Sequence, residues 1–452
     1  MDQVAIIQHP WRDPLDAARP FAAEPWALVL TTPDGWTYLA RRPRQVLVMD
    51  GQDPADPFAA MAALLGPHRQ RRADGPPFQG GWAGLLSYEL AARAEPVALE
   101  RHPDWPDLAC GLYDALAAFD PSGRRVLAVG AGRDPGEAQA RAASVGLWLQ
   151  AEPNAPAPAP DGGGLAEPLT ASSGEAYEAA VAAVIDRIVA GDIYQANVAR
   201  RWTGRLRPDV DPYTLFERLA QASPAPFSGY FRLEGRAVVS NSPERFVRVE
   251  PQSGGAAAMT QPIKGTRPRG ADAASDRALA EALMADPKDR AENLMIVDLM
   301  RNDLARVSRP GGVEVPALCE LHTFANVHHL VSTVTADLRD GVGPFDVLRA
   351  TFPPGSITGA PKVQAIKTIA ALEPPRGPYC GSLFWAGCDG GMDSSVLIRT
   401  VCCVQDAQGW RLEAGAGAGI TADSDPAAER CETEAKIAAI LGALGDGLNP
   451  AP

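Results

Sequence analysis

Histidine and cysteine are scarce in this chain, with six of the first and seven of the second in 452 residues, and neither type clusters as a zinc site would require. The cysteines, even the adjacent Cys402 and Cys403, form no CxxC pair and no disulfide-framework spacing, so we read them as reduced and structural. A basic tract with interleaved aromatics is missing and the net charge is -13, which removes the usual footprint of a nucleic-acid binder. A small anionic substrate stays compatible with that charge if local arginines or a metal offset the repulsive field. No uninterrupted apolar run is long enough to span a bilayer, and Met1 to Ile7 lacks the basic start and apolar core of a signal peptide. The expected location is cytoplasmic. No internal period marks a repeat architecture.

What is present is enough chain for a large core, either as two to three units of ordinary domain size or as one interwoven body. The clearest seam is 151–168, AEPNAPAPAPDGGGLAEP, too rich in proline and glycine to hold a helix or central strand. It divides an N-terminal region, 1–150, from a longer region, 169–452. Before the seam, Trp26 to Leu30, Gln45 to Met49 and the glycine-rich Gly80 to Tyr88 read as strands. After it, Tyr177, Val181, Val184, Ile185 and Ile188 share one helical face and Gly191 supplies the stop. Strands and helices then mix without strict alternation, which predicts an α+β fold with sheets flanked by helices.

Asp286-Pro287 and Ser424-Asp425-Pro426 are helix starts, an aspartate N-cap followed by proline at the first helical position. The first helix carries Asp289 and Glu292 and the second Glu429 and Glu432. In each case a spacing of three puts both carboxylates on one face. A single such pair reads first as solvated helix surface, and Asp289 also suits a capping box. Two matched pairs say more. If the faces meet, four carboxylates repel one another unless a cation sits between them, and an all-oxygen, partly hydrated site suits Mg²⁺.

Gly415-Ala416-Gly417-Ala418-Gly419 offers backbone N–H groups that could converge on a carboxylate, although it lacks the third glycine of a dinucleotide fingerprint. Gly355 to Lys362 is not a phosphate loop, because Pro361 precedes its lysine and Val363 follows it. Arg399 lies in an apolar strand and needs a partner, either a structural carboxylate or a substrate carboxylate held bidentately. Lys264, between Ile263 and Gly265, is desolvated on one side and closely approachable on the other. A half-desolvated ammonium gives up its proton more readily, and the free amine is a nucleophile.

Taken in order, Asp192 to Asn197, Ser242 to Phe246, Gln261 to Arg269, Glu292 to Asp303, His329 to Ser332, Gly355 to Lys362 and Gly415 to Ile420 closely resemble the chorismate-utilising enzymes. That family includes the large subunits of anthranilate synthase and aminodeoxychorismate synthase, isochorismate synthases and salicylate synthases. The match runs from about Tyr177 to Leu441, and Phe78 to Leu90 resembles the family's glycine-rich N-terminal strand. The resemblance implies a large α/β sandwich of the anthranilate synthase component I type, in which the N-terminal segment packs beside the chorismate-binding part and 151–168 is an inserted loop.

Lysine at position 264 resembles the aminodeoxychorismate synthase branch, where anthranilate synthases typically carry alanine. The implied reaction is Mg²⁺-dependent amination of chorismate at C4. Lys264 adds to C2, the 4-hydroxyl is expelled, and ammonia enters at C4 and frees the lysine. The product leads to 4-aminobenzoate and folate.

By the same matching Glu244 is the general acid/base and His329 lies near the leaving hydroxyl. Glu292 and Glu432 are the Mg²⁺ ligands, with Asp289 and Glu429 acting through water. A glycine turn at Gly417, with Thr358, supports the ring carboxylate, and Arg399 holds the enolpyruvyl carboxylate. Two departures stand out. Asp289 replaces a common glutamate, and Trp385 replaces a tyrosine that hydrogen-bonds that second carboxylate. No glutaminase motif is visible within the sequence, so the resemblance implies a separate glutamine amidotransferase subunit. The rival expectations are anthranilate synthesis, against which Lys264 argues because it fills the space of a C2 nucleophile, and a non-catalytic chorismate-binding protein.

Overall fold

The computed structural model describes residues 3–66, 70–152, 163–324 and 327–445. Two large sheets, one of twelve strands and one of ten among these residues, stack face to face with helices on both outer faces. The predicted α+β sandwich is the observed architecture. Strand Gly81–Leu86 shows why its sequence suits a doubly covered sheet. Trp82 and Leu86 point into the helix-side core with Phe246, Ile296 and Phe352, while the alternate Ala83 and Leu85 point between the sheets with Tyr38, Phe78 and Trp385.

Both sheets draw strands from either side of the 151–168 seam. In the first, Leu28–Thr31 pairs with Phe227–Leu233, Gly229 opposite Leu30. In the second, Gly81–Leu86 pairs with Ser382–Gly387, Ala83 opposite Trp385. Residues 153–162 of the seam lie outside the described residues. Where the chain resumes, Gly164 donates to the Leu444 carbonyl at 2.6 Å and Leu165 bridges Leu206.

The two predicted helix starts are as read. Asp286 caps Pro287–Ala305 by accepting from the Lys288 and Asp289 backbones, and Asp425 caps Pro426–Leu444 through Ala428. The helix Gly174–Val189 buries Tyr177, Val181 and Val184 and is followed by Gly191 at φ +84°.

Candidate active site

The glycine run Gly415 to Gly419 is not the turn expected at Gly417. It lies inside the strand Gly409–Ile420, paired residue by residue with Gln195–Arg205, Ala199 opposite Gly417 and Asn197 opposite Gly419. The period of two explains the spacing. Gly415, Gly417 and Gly419 share one face, where any Cβ would collide with a neighbour. At Gly417 it would lie 2.7 Å from Asn197 Oδ1, and at Gly419 2.3 Å from Gln195 Nε2 and 3.2 Å from Lys264 Nζ. The glycines thus clear a floor, and Lys264 reaches over it from strand Ile263–Pro268.

Lys264 is half-buried and donates to the Ser356 carbonyl at 3.3 Å, with no direct ion pair among the described residues. Glu244 is buried in the same place. Removal from water pushes its carboxyl up to about 7, against the opposing pulls of the Ser356 side chain, Lys264 and the Ile263 backbone. A carboxyl poised there can hold a proton at neutral pH and release it during reaction. Ser356 and Thr358 belong to the buried segment Gly355–Ala360. Thr358 is fully buried. Its hydroxyl donates to the Pro354 carbonyl at 2.8 Å and its own carbonyl accepts from the Asn197 N–H at 2.7 Å.

His329 is buried in strand Val327–Leu338. Nδ1 shares a 2.8 Å hydrogen bond with the Thr266 hydroxyl, and Nε2 makes none among the described residues. Burial, then the Arg399 charge, push its pKa down to about 4, so the imidazole is neutral at pH 7. The adjacent His328 points the other way and is structural, held by Thr323 and by Asp276 at 2.9 Å. Arg399, at φ +50°, finds no carboxylate among the described residues, and burial alone lowers its pKa. Of the two partners open to it from sequence, the structural carboxylate is not there. The Trp385 ring packs between the sheets at 5.2 Å from Phe78, and its buried indole N–H makes no hydrogen bond among the described residues.

The two acidic helices do face each other. Lys288 Nζ lies 3.2 Å from Glu429 and 3.9 Å from Glu292, so one ammonium spans both. Glu429 is buried and accepts from the Ser424 hydroxyl at 2.7 Å. Burial raises the Glu292 carboxyl, partly offset by Lys264 and Lys288. Burial acts the same way on half-exposed Glu432, but Lys436, Lys288 and Lys264 outweigh it and hold that carboxyl low. Burial and Asp286 raise Asp289, which pairs with Arg267 at 3.2 Å. No three of these carboxylates form a ready-made metal cluster among the described residues. Lysines balance the charge instead. The donor set is all carboxylate oxygen on two facing helices, which fits the chemistry of Mg²⁺.

Sequence alone assigns no role to Gln195, Asn197, Ser356, Lys288 or Lys436. Gln195 and Asn197 are buried side chains whose Oε1 and Oδ1 find no partner among the described residues, and both project over the glycine floor. Their signal was two polar residues two apart in an otherwise apolar strand start. Lys436 pairs with Glu432 at 2.6 Å and donates to the Gly417 carbonyl at 2.8 Å, tying helix to floor.

A family model described as chorismate binding enzyme matches residues 26–442. The chain belongs to that family and is a chorismate-utilising enzyme. It is 40% identical to aminodeoxychorismate synthase component 1 of Klebsiella aerogenes, over 97% of this chain and 99% of that one. It is 38% identical to anthranilate synthase component 1 of Thermus thermophilus, over 88% and 85% of the two chains. The crystal structure of anthranilate synthase component I from Streptococcus pneumoniae superposes with a TM-score of 0.77 at 26% identity, covering 90% of this chain and 92% of that one.

Proposed function

We propose that this enzyme transfers an amino group to C4 of chorismate, giving 4-amino-4-deoxychorismate. The observation that carries the reading is the placement of the Lys264 amine over the cleared glycine floor, beside the poised Glu244 carboxyl. In the first step the lysine nitrogen, as the free amine, bonds to C2, both conjugated ring double bonds shift, and the C4–oxygen bond breaks as Glu244 gives its proton to the departing hydroxyl. In the second, ammonia bonds to C4, both double bonds shift back, the C2–nitrogen bond breaks so that the lysine leaves as an amine, and the new C4 ammonium returns a proton to the Glu244 carboxylate. His329, neutral, is placed to hydrogen-bond the departing hydroxyl through Nε2. Arg399, with no carboxylate partner among the described residues, is suited to the enolpyruvyl carboxylate, and Gly417 to the ring carboxylate, with Thr358 joining it once its hydroxyl turns from the Pro354 carbonyl. Trp385 contributes an indole N–H where a hydroxyl would otherwise serve.

Mg²⁺ would be held by Glu292 and Glu432, with Asp289 and Glu429 supporting it through water. It would supply positive charge to the ring carboxylate. A separate glutamine amidotransferase subunit would deliver the ammonia, in keeping with the component 1 naming of the relatives. The setting is cytoplasmic 4-aminobenzoate and folate synthesis. Relatives of similar identity carry the anthranilate synthase name, so the choice between C4 and C2 amination rests on Lys264.

Chromatography with mass detection, on the purified chain with chorismate, Mg²⁺ and ammonium, tests this. Aminodeoxychorismate is expected, with a lysine adduct during turnover that Lys264→Ala abolishes. Anthranilate as product would overturn the regiochemistry, and saturable chorismate binding without any product would favour the non-catalytic reading.

A further inference from the structure

Lys362 belongs to none of the roles above, and its surroundings are unusual. It opens the helix Lys362–Leu372, the end at which a cation is disfavoured by the helix dipole. Its side chain turns away from that end. The residue is 6% exposed, and its ammonium reaches Asp303 Oδ2 at 2.5 Å and the Thr351 carbonyl at 2.6 Å. Asp303 is itself 3% exposed and lies near the end of the acidic helix Pro287–Ala305, while Thr351 is the last residue of the helix Pro344–Thr351. The lysine therefore closes the chain between 351 and 362 into a loop and ties it to the helix that carries Asp289 and Glu292. Midway round, Arg376 Nη1 holds the Ile357 carbonyl at 3.0 Å. This loop presents the Ser356 carbonyl to Lys264 at 3.3 Å and carries Thr358.

A buried ion pair is a poor way to gain stability, because desolvation offsets most of the attraction and apolar replacements of similar volume are often as stable. Its value here lies in geometry. We propose that Lys362, with Asp303 as its anchor, is a positioning residue that staples the 352–361 loop to the acidic helix and so sets Ser356 and Thr358 against bound chorismate. The proposal rests on the reading of this site as the chorismate site.

The test is the double variant Asp303→Leu/Lys362→Met in the full chain, which leaves no unpaired buried charge. Hydrogen exchange across 355–359 is read in the absence of substrate, and chorismate binding and steady-state kinetics are read alongside thermal unfolding. The expected result is a folded protein of near wild-type unfolding midpoint. Its loop exchanges at least about tenfold faster, its chorismate KM rises about tenfold or more and kcat falls, with Mg²⁺ affinity unchanged. A folded double variant with wild-type loop exchange, or with a faster loop but unaltered KM and kcat, overturns the proposal. The single Lys362→Met variant, which strands a buried carboxylate, should unfold earlier. A wild-type chain that fails to bind chorismate would instead overturn the reading of the site, and the wild-type arm separates the two failures.

Discussion

At the scale of single residues, the site works by withholding water from charges. Glu244 and His329 are moved in opposite directions by the same burial, the carboxyl up to about 7 and the imidazole down to about 4, so at pH 7 about half of the carboxyl is protonated where an ordinary glutamate would be ionised, and the imidazole carries no proton charge. Because the Glu244 proton is needed for expulsion of the hydroxyl, kcat/KM of the free enzyme should fall as pH rises through about 7. The same shift has a stability consequence. A carboxyl raised in the folded state contributes stability that is full below its unfolded value and is lost as pH rises through the folded one. Glu244→Gln should therefore remove the alkaline limb and lower the rate by roughly 10²–10⁴-fold, while making the folded protein less sensitive to pH between about 5 and 7. A retained limb near 7 in that variant would assign it to another group. Lys264, Glu244, Arg399 and the four acids could be picked out from sequence. Gln195, Asn197 and Ser356 could not, because a glutamine, an asparagine and a serine carry no chemistry until something shows what they face.

At the scale of elements, alternation and helical spacing act as placement devices. The stripe Gly415, Gly417, Gly419 is what a strand looks like when one face must be left empty, and its partner strand supplies the polar wall. The family resemblance implies a turn at Gly417 instead. Five residues of alternating glycine and alanine are compatible with either, and only the ladder to Gln195–Arg205 decides. Gly419→Ala should distinguish packing from function, since its Cβ meets only the ends of Gln195 and Lys264, which can yield. We expect a thermal midpoint close to wild type and a loss of about 10²-fold in kcat/KM, the scale at which small misplacements act. Unchanged kinetics would mean that the floor is not substrate space. The two acidic helices were legible because aspartate-proline caps and i, i+3 carboxylates are local signals. Their mutual approach was not, and neither was the use of Lys288 to bridge them.

At the scale of the whole molecule, the N-terminal region is woven into the catalytic one through both sheets. A break in the chain should not separate them. Cleavage at a protease site engineered within 153–162 is expected to leave a single species in gel filtration with an almost unchanged unfolding midpoint, whereas 1–150 and 169–452 expressed alone should each lack a cooperative transition. Independent folding of the longer piece would show that the shared sheets are dispensable. The composition shift at 151–168 is the strongest local feature of the chain and says nothing about this. Its proline and glycine are a local signal against helix and central strand, whereas strand pairing across hundreds of residues leaves no local mark.

The sequence by itself determined the local and the chemical: strand and helix periods, the capped starts of the acidic helices, the lysine and carboxylates, and a motif order that places the chain among chorismate-binding enzymes. Those follow from near-neighbour sterics and from residue identity. The tertiary structure decided which polar side chains share the glycine floor, how far burial shifts Glu244 and His329, that Arg399 has no carboxylate partner among the described residues, and that Lys362 closes a loop on Asp303. Each of these depends on desolvation and on contacts between distant segments, and such quantities exist only once the sheets are stacked.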